Sequence, residues 1–462
     1  MNRIQNPYLI MVNLIYLGTR WISEKVKDIL MVAAVITLAA WYPFFYTAFF
    51  TKLPLSQPFI TPIIPCVALI VLLLASVKQM NKKVEWNRTV VIFYYAFTIF
   101  LLITAIIHPL REGYVLFGFF LLLYWPAFYI VWNNRQDYRT LFQKIALVFT
   151  IMGLIVFIIS VISMCYKPYD TITQFLTTTD FWYQGMTDNS NKLSRLYLSV
   201  LISAIYLFLS SDQSLLRLLA TISAGIAVGL EYITNSDTGR IIVLLLLVCF
   251  VWMMVTKKFQ QVKREPRVTF LLFVLMYAGI IILGITILLQ NSILDFQDLA
   301  TQGRLDSDSG TCLAAALIPV NSALYQKLDL ISSGRWTYWR LALEHLNLFG
   351  NNPNQVILYS GTKSISALHN AVVEFTFLSG WPAGLLYLGL EFVTGIFVLR
   401  RLFGRRQVTI ETWFVMMILI VYIMESLTET QTIFVAKDNT LFFYFALMYV
   451  FDKKQAIPSS KG

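Results

Sequence analysis

The chain reads as an all-α polytopic membrane protein of about twelve transmembrane helices, with one long extracytoplasmic loop containing amphipathic helices. Three observations lead there. Of its 462 residues 58% are hydrophobic and only 13% are charged, about half the charged share of a soluble domain. Its mean hydropathy is +0.67, and the apolar residues gather in separate runs. Those runs approach about 20 residues, the length a helix needs to cross ~30 Å of hydrocarbon with every backbone polar group satisfied inside the segment.

The runs fall near 29–50, 58–77, 89–107, 113–132, 142–165, 195–210, 214–232, 240–255, 268–290, 369–399, 412–428 and 439–451. The residues before the first run read as an amphipathic cytoplasmic lead-in. That run begins late, reaches full membrane length and lacks a small-residue cleavage pattern, so no cleavable signal peptide is expected. The sequence divides into a nine-helix membrane region over 1–290, an extracytoplasmic loop over 291–368 and a three-helix membrane region over 369–462, within one integral membrane domain.

Orientation follows from the distribution of Lys and Arg, which cytoplasmic loops retain in excess. With the N-terminus inside, the cytoplasmic segments include "KQMNKKVEWNR", "KKFQQVKREPR" and "RRLFGRR" and hold most of the basic residues. Both termini are therefore expected in the cytoplasm. The net charge of +11 marks topology and anionic lipid head groups rather than a nucleic-acid partner. Cys66, Cys165, Cys249 and Cys312 show no CxxC spacing, hence no redox or metal motif. A Cys165–Cys312 disulfide is a minor alternative.

Function concentrates in long loops held by a rigid scaffold, and one outer loop stands out. It opens with "QDLATQGRLDSDSGT" and ends in "SSGRWTYWRLALEHLNLFGNNPNQ". There Ser332 or Ser333 can cap a helix whose Trp336, Trp339, Leu343 and Leu346 recur at three and four residues, and a Gly-Asn-Asn-Pro-Asn stretch ends it. Such a helix would lie along the membrane interface, where indole rings favour the head-group level.

Three arginines follow small polar runs at expected helix starts on the outer face: Arg195 after "TDNSNKLS", Arg240 after "TNSDTG" and Arg335 after "SSG". Helix N-termini offer unpaired N–H groups and the positive end of the dipole, so the three together would form a phosphate clamp. The plainer alternative is that each arginine snorkels to the interface. Lys192, Arg340 and Lys363 share that face without the pattern and read as interface residues.

Of the histidines, His108 reads as an interfacial residue before Pro109, and His345 as a residue of the loop helix. His369 differs: it opens an apolar segment, Asn370 follows it, and Glu374 lies five residues on. A neutral imidazole can take a proton from an attacking hydroxyl at neutral pH. At 100° per residue Glu374 projects about 140° from His369, so the pair is not expected to meet within one helix. Metal chemistry has little support, with no HExxH and only Asp306 and Asp308 as a D-x-D in a solvated turn.

These residues carry a resemblance. "SGRWTYWRLAL", then "LFG", then "HNAVVEFTFLSGWPAG" resembles the shared core of the bacterial O-antigen ligase and O-antigen polymerase family, strongly over 333–400 and more weakly at "TNSDTGRIIVLLLL". The resemblance implies transfer of a glycan from an undecaprenyl-diphosphate carrier to a sugar hydroxyl, without metal or nucleotide cofactor, at the extracytoplasmic face of the bacterial cytoplasmic (inner) membrane. It implies a base at His369, diphosphate contacts at Arg335 and Arg240, a looser fit at Arg195, and substrate contacts at Asn370, Glu374 and Trp339. A polymerase is favoured over a ligase, and a lipid-linked oligosaccharide flippase is the rival from another class. The partners implied are the lipid-linked donor, the glycan acceptor, membrane lipid and other polysaccharide assembly proteins. One departure is "FGNNPN", where family members often carry Gly-x-Gly.

Overall fold

The computed structural model describes residues 7–45, 63–80, 88–107, 127–134, 138–166, 190–234, 236–256, 325–327, 335–351, 368–404, 407–429 and 438–452. The run at 268–290, most of that at 113–132, His108, Cys312, Asp306, Asp308, Lys363 and the Ser332/Ser333 cap lie outside these residues, as does the start of the long loop. The described chain is helical: α1 Pro7–Thr19, α2 Glu24–Phe45, α3 Ile63–Ser76, α4 Arg88–Ile107, α5 Tyr138–Tyr166, α6 Ser190–Ser210, α7 Ser214–Ile233, α8 Asp237–Val255, α9 Arg335–Glu344, α10 Ala371–Ser379, α11 Trp381–Phe403, α12 Ile410–Thr428 and α13 Asp438–Val450.

Five of these helices, α5, α6, α7, α11 and α12, are long and apolar enough to cross a membrane. Their polarity runs inside out. Ile151, Ile155 and Ile158 on α5, Leu215, Leu218 and Ile222 on α7, and Leu385, Leu388 and Phe392 on α11 are exposed at helical spacing, while Ser194, Ser199, Ser203, Glu391 and Ser426 are buried. An outward apolar stripe is stable against hydrocarbon and costly against water. The lead-in is an exception to expectation: α1 is an apolar helix from Leu9 rather than an amphipathic one.

Helices α6 and α12 form the enclosed centre. The α12 N-terminus is fixed by Thr409, whose hydroxyl accepts from the Thr412 amide at 3.2 Å, an N-cap of the usual kind. Contacts distinguish the two ends of the bundle. At one end Arg139 of α5 donates to the carbonyl of Ser210, the last residue of α6, and pairs with Glu411 in the first turn of α12. The other end therefore holds the start of α6 and the end of α12.

The apolar run expected over 369–399 is broken. Gly380 has φ +91°, a conformation that costs glycine little and other residues much, and Pro382 in the first turn of α11 cannot continue a preceding helix. The short α10 and the long α11 then pack closely, because Gly384 offers no side chain to Thr376. The segment after α9 docks on this break. Asn351 donates its amide to the Phe377 carbonyl at 2.9 Å, Trp381 donates to the Asn347 carbonyl at 3.1 Å, and a methyl group at Gly350 or Gly380 would collide with a backbone carbonyl of the other segment.

Candidate active site

The last carbonyls of an α-helix lack amide partners and carry its negative dipole end. At the end of α12 they are met by donors from two distant segments. Asn370 Nδ2 donates to the Leu427 carbonyl at 3.0 Å, and Arg335 Nη1 donates to the Thr428 carbonyl. The next residue, Glu429, adds a full negative charge where the dipole already repels one. That placement demands cations.

They are present. Glu429 Oε1 accepts from Asn191 Nδ2 at 3.0 Å and from Arg335 Nη2 at 3.2 Å, while Oε2 lies 3.1 Å from His369 Nδ1. Arg195 is buried within electrostatic reach of the same carboxylate. Burial alone would push the pKa of Glu429 up, because it disfavours the charged carboxylate. The hydrogen bond to His369 and the charges of Arg195, His369 and Arg335 more than offset it, and the carboxyl is held below its ordinary value. Glu429 is thus an anion in a cationic nest.

The His369 backbone is tightly specified. Its φ is +48°, uncommon for any residue with a Cβ. Trp339 Nε1 donates to the Leu368 carbonyl at 2.7 Å, Leu368 donates its amide to Glu374 Oε2 at 3.2 Å, and Asn370 Oδ1 caps α10 by accepting from the Val373 amide at 3.0 Å. Three side chains therefore hold the residues on either side of His369, which is how a strained conformation persists. The ring itself remains about one-third exposed, at 37% of its side chain.

Several expectations change in detail. His369 precedes α10 rather than beginning it, with Asn370 as the cap. Glu374 and Trp339 hold the backbone of Leu368. His345 follows α9, which ends at Glu344. Arg195 stands in the second turn of α6, not at its start. Arg340 pairs with Glu344 at 3.2 Å and lies over the Tyr325 ring, clear of the cluster's hydrogen bonds.

Arg240 does not join the Glu429 cluster. It sits in the first turn of α8, donates from Nη2 to the Tyr232 carbonyl at 2.9 Å, and lies 3.8 Å from Asp237. A buried contact links the two regions: Ser194, beside Arg195, donates to Glu231 Oε2 at 2.6 Å. Gly239 makes room for that contact, since a Cβ there would strike both partners.

Glu429, Asn191 and Glu231 were not singled out from the sequence. The signal for Glu429 was its position, an acid closing the apolar run 412–428, where the helix dipole makes an unpaired carboxylate unfavourable. Among the described residues no group of three His, Cys, Asp or Glu side chains could hold a metal ion. Comparison of the chain with protein-family models and with curated proteins finds no match to either.

The arrangement suits proton transfer beside an anion. With Nδ1 of His369 turned to a carboxylate, the imidazole is held in one orientation and Nε2 is the nitrogen presented for exchange. Guanidinium groups on the same carboxylate supply donors matched to phosphate or carboxylate oxygens.

Proposed function

We propose that the protein is a bacterial inner-membrane glycan transferase of the O-antigen polymerase and ligase type, spanning the membrane about twelve times with both termini cytoplasmic. Its site lies on the extracytoplasmic face, where α6 starts and α12 ends. The observation that carries this reading is the convergence of His369, Arg335 and Arg195 on Glu429. The residues that suggested the family from sequence, His369 and Arg335, meet across a gap of 34 positions in the chain through a carboxylate that the motifs did not include.

The chemistry follows from the parts. The acceptor sugar's hydroxyl gives its proton to His369 Nε2 as its oxygen attacks the anomeric carbon of the donor. The bond from that carbon to the pyrophosphate oxygen breaks with inversion, and undecaprenyl diphosphate leaves. Negative charge grows on the leaving pyrophosphate, where preorganised guanidinium groups stabilise it more than in the ground state. Arg335 and Arg195 are at hand from the cluster, and Arg240 is the further contact from the α8 start. No step in this scheme requires a metal or nucleotide.

Within the type, the polymerase reading is preferred, acting on lipid-linked oligosaccharide repeat units of O-antigen, capsule or exopolysaccharide. A gel of surface glycan from a deletion strain tests it. Single capped units indicate a lost polymerase, long chains left unattached indicate a lost ligase, and cytoplasmic accumulation of lipid-linked units indicates a lost flippase. In the same assay His369→Ala is expected to abolish polymer at normal expression. Polymer of wild-type length from that variant would remove His369 from the mechanism.

A further inference from the structure

The site holds its own anion. One carboxylate, Glu429, engages Asn191 and Arg335 on one oxygen and His369 on the other, with buried Arg195 alongside. To a guanidinium, a phosphate group and a carboxylate are alike, each offering two oxygens to a planar pair of N–H groups. The Arg335 fork is already filled, by Glu429 and by the Thr428 carbonyl. A pyrophosphate that takes both arms must displace Glu429 from one of them.

That displacement is coupled to the base. The same carboxylate that releases Arg335 still holds His369, and its charge is then shared among fewer donors. We infer that Glu429 is a resident counter-anion which the donor's pyrophosphate displaces from Arg335, so that donor binding leaves more of the carboxylate's charge to His369, which it already faces. The inference rests on the reading of the site as one for a lipid pyrophosphate. It adds an order of events: the cluster stays assembled without donor, because leaving the partly buried Arg335 guanidinium without a counter-charge is costly, and the imidazole gains a larger share of the carboxylate's charge only when a leaving group is in place. Such an order suits a transferase, for which a deprotonated acceptor without a donor accomplishes nothing. Glu429 acts through Arg335 and His369 and is a positioning residue.

The test is a binding measurement on the purified full-length chain, with inorganic pyrophosphate as the probe. Glu429→Gln removes the competing charge and keeps the side-chain shape. It is expected to bind pyrophosphate about tenfold or more tightly than wild type, the worth of a charge-assisted hydrogen bond that no longer has to be broken. Its turnover should fall at the same time, since the imidazole loses its anion. Glu429→Asp retains the charge but is one methylene too short to span Arg335 and His369 together, and it should also bind more tightly. A merely structural carboxylate would leave binding unchanged or weakened, and that result in either folded variant overturns the inference. A chain that loses its fold with both substitutions makes Glu429 a structural pin and overturns it equally. The underlying reading fails separately, if wild-type binding of pyrophosphate is unaffected by Arg335→Ala.

Discussion

At the scale of single residues, His369 combines a strained backbone with an oriented ring, and the two can be separated by substitution. Asparagine tolerates positive φ better than most residues and can keep a polar contact to Glu429, but it has no titratable nitrogen. His369→Asn is therefore expected to retain expression and thermal stability while losing polymer formation, read by size-exclusion profile and surface-glycan gel. Arg335 allows a complementary test. Its two terminal nitrogens reach different acceptors, the Thr428 carbonyl and Glu429, whereas a lysine ammonium offers a compact point charge. Arg335→Lys should lose activity by at least ~10-fold, measured as polymer yield at matched expression; full activity would reduce the arginine to charge balance. Neither contact could be foreseen from spacing. The partners 191, 335, 369 and 429 come from four separate segments, and local periodicity says nothing about which helix ends a bundle brings together.

At the scale of elements, the contrast between what was legible and what was not has a physical cause. Helices α2 through α8, α12 and α13 stand where the apolar runs place them, because an apolar run favours the helix, which satisfies every N–H and C=O within the segment. The break at Gly380 was written in "SGWPAG", but hydropathy alone carries a run straight through it. What decides the break is backbone chemistry: Gly380 at φ +91°, Pro382 just beyond, and the 347–351 segment hydrogen-bonded to both sides. Those bonds tie the end of α9 to the α10–α11 junction and so set Arg335 and His369 on one frame. Gly350, at φ +79°, has no space for a methyl group against the Leu378 carbonyl. Gly350→Ala is expected to destabilise by about 1–3 kcal/mol, combining positive-φ strain with a forced backbone shift. The loss should appear as a lower unfolding temperature and faster proteolysis near 345–351, with activity falling alongside. An unchanged digestion pattern would mean that the two segments can part without consequence.

At the scale of the whole molecule, the two ends of the bundle carry different charge chemistry. The end where α12 finishes gathers cations around the buried Glu429, whereas the opposite end pairs basic residues with both a buried acid, Glu411, and a partly exposed one, Asp28. There Asp28, just before the first apolar run, accepts from Lys78 at 2.8 Å and lies 3.7 Å from Lys144 of α5. This joins the start of α2, the residues after α3 and the start of α5, far in sequence from one another. The Lys78 hydrogen bond is the main cause that holds the Asp28 carboxyl below its ordinary value of 3.8; partial burial opposes it, and the charges of Lys78 and Lys144 assist. The sign of the pH effect follows. A carboxyl depressed in the folded state binds fewer protons there than when unfolded, so its contribution to stability is fully present above the unfolded value and is lost as pH falls through the folded one. Wild-type protein in detergent should therefore lose unfolding temperature below about pH 4, and Asp28→Asn should remove part of that slope while changing little at pH 7. Because Asp28 is 42% exposed, the difference should shrink at high salt, where exposed ion pairs are screened. Identical acid profiles for wild type and Asp28→Asn at low salt would show that this end is held by packing alone, with the lysines serving only to fix orientation.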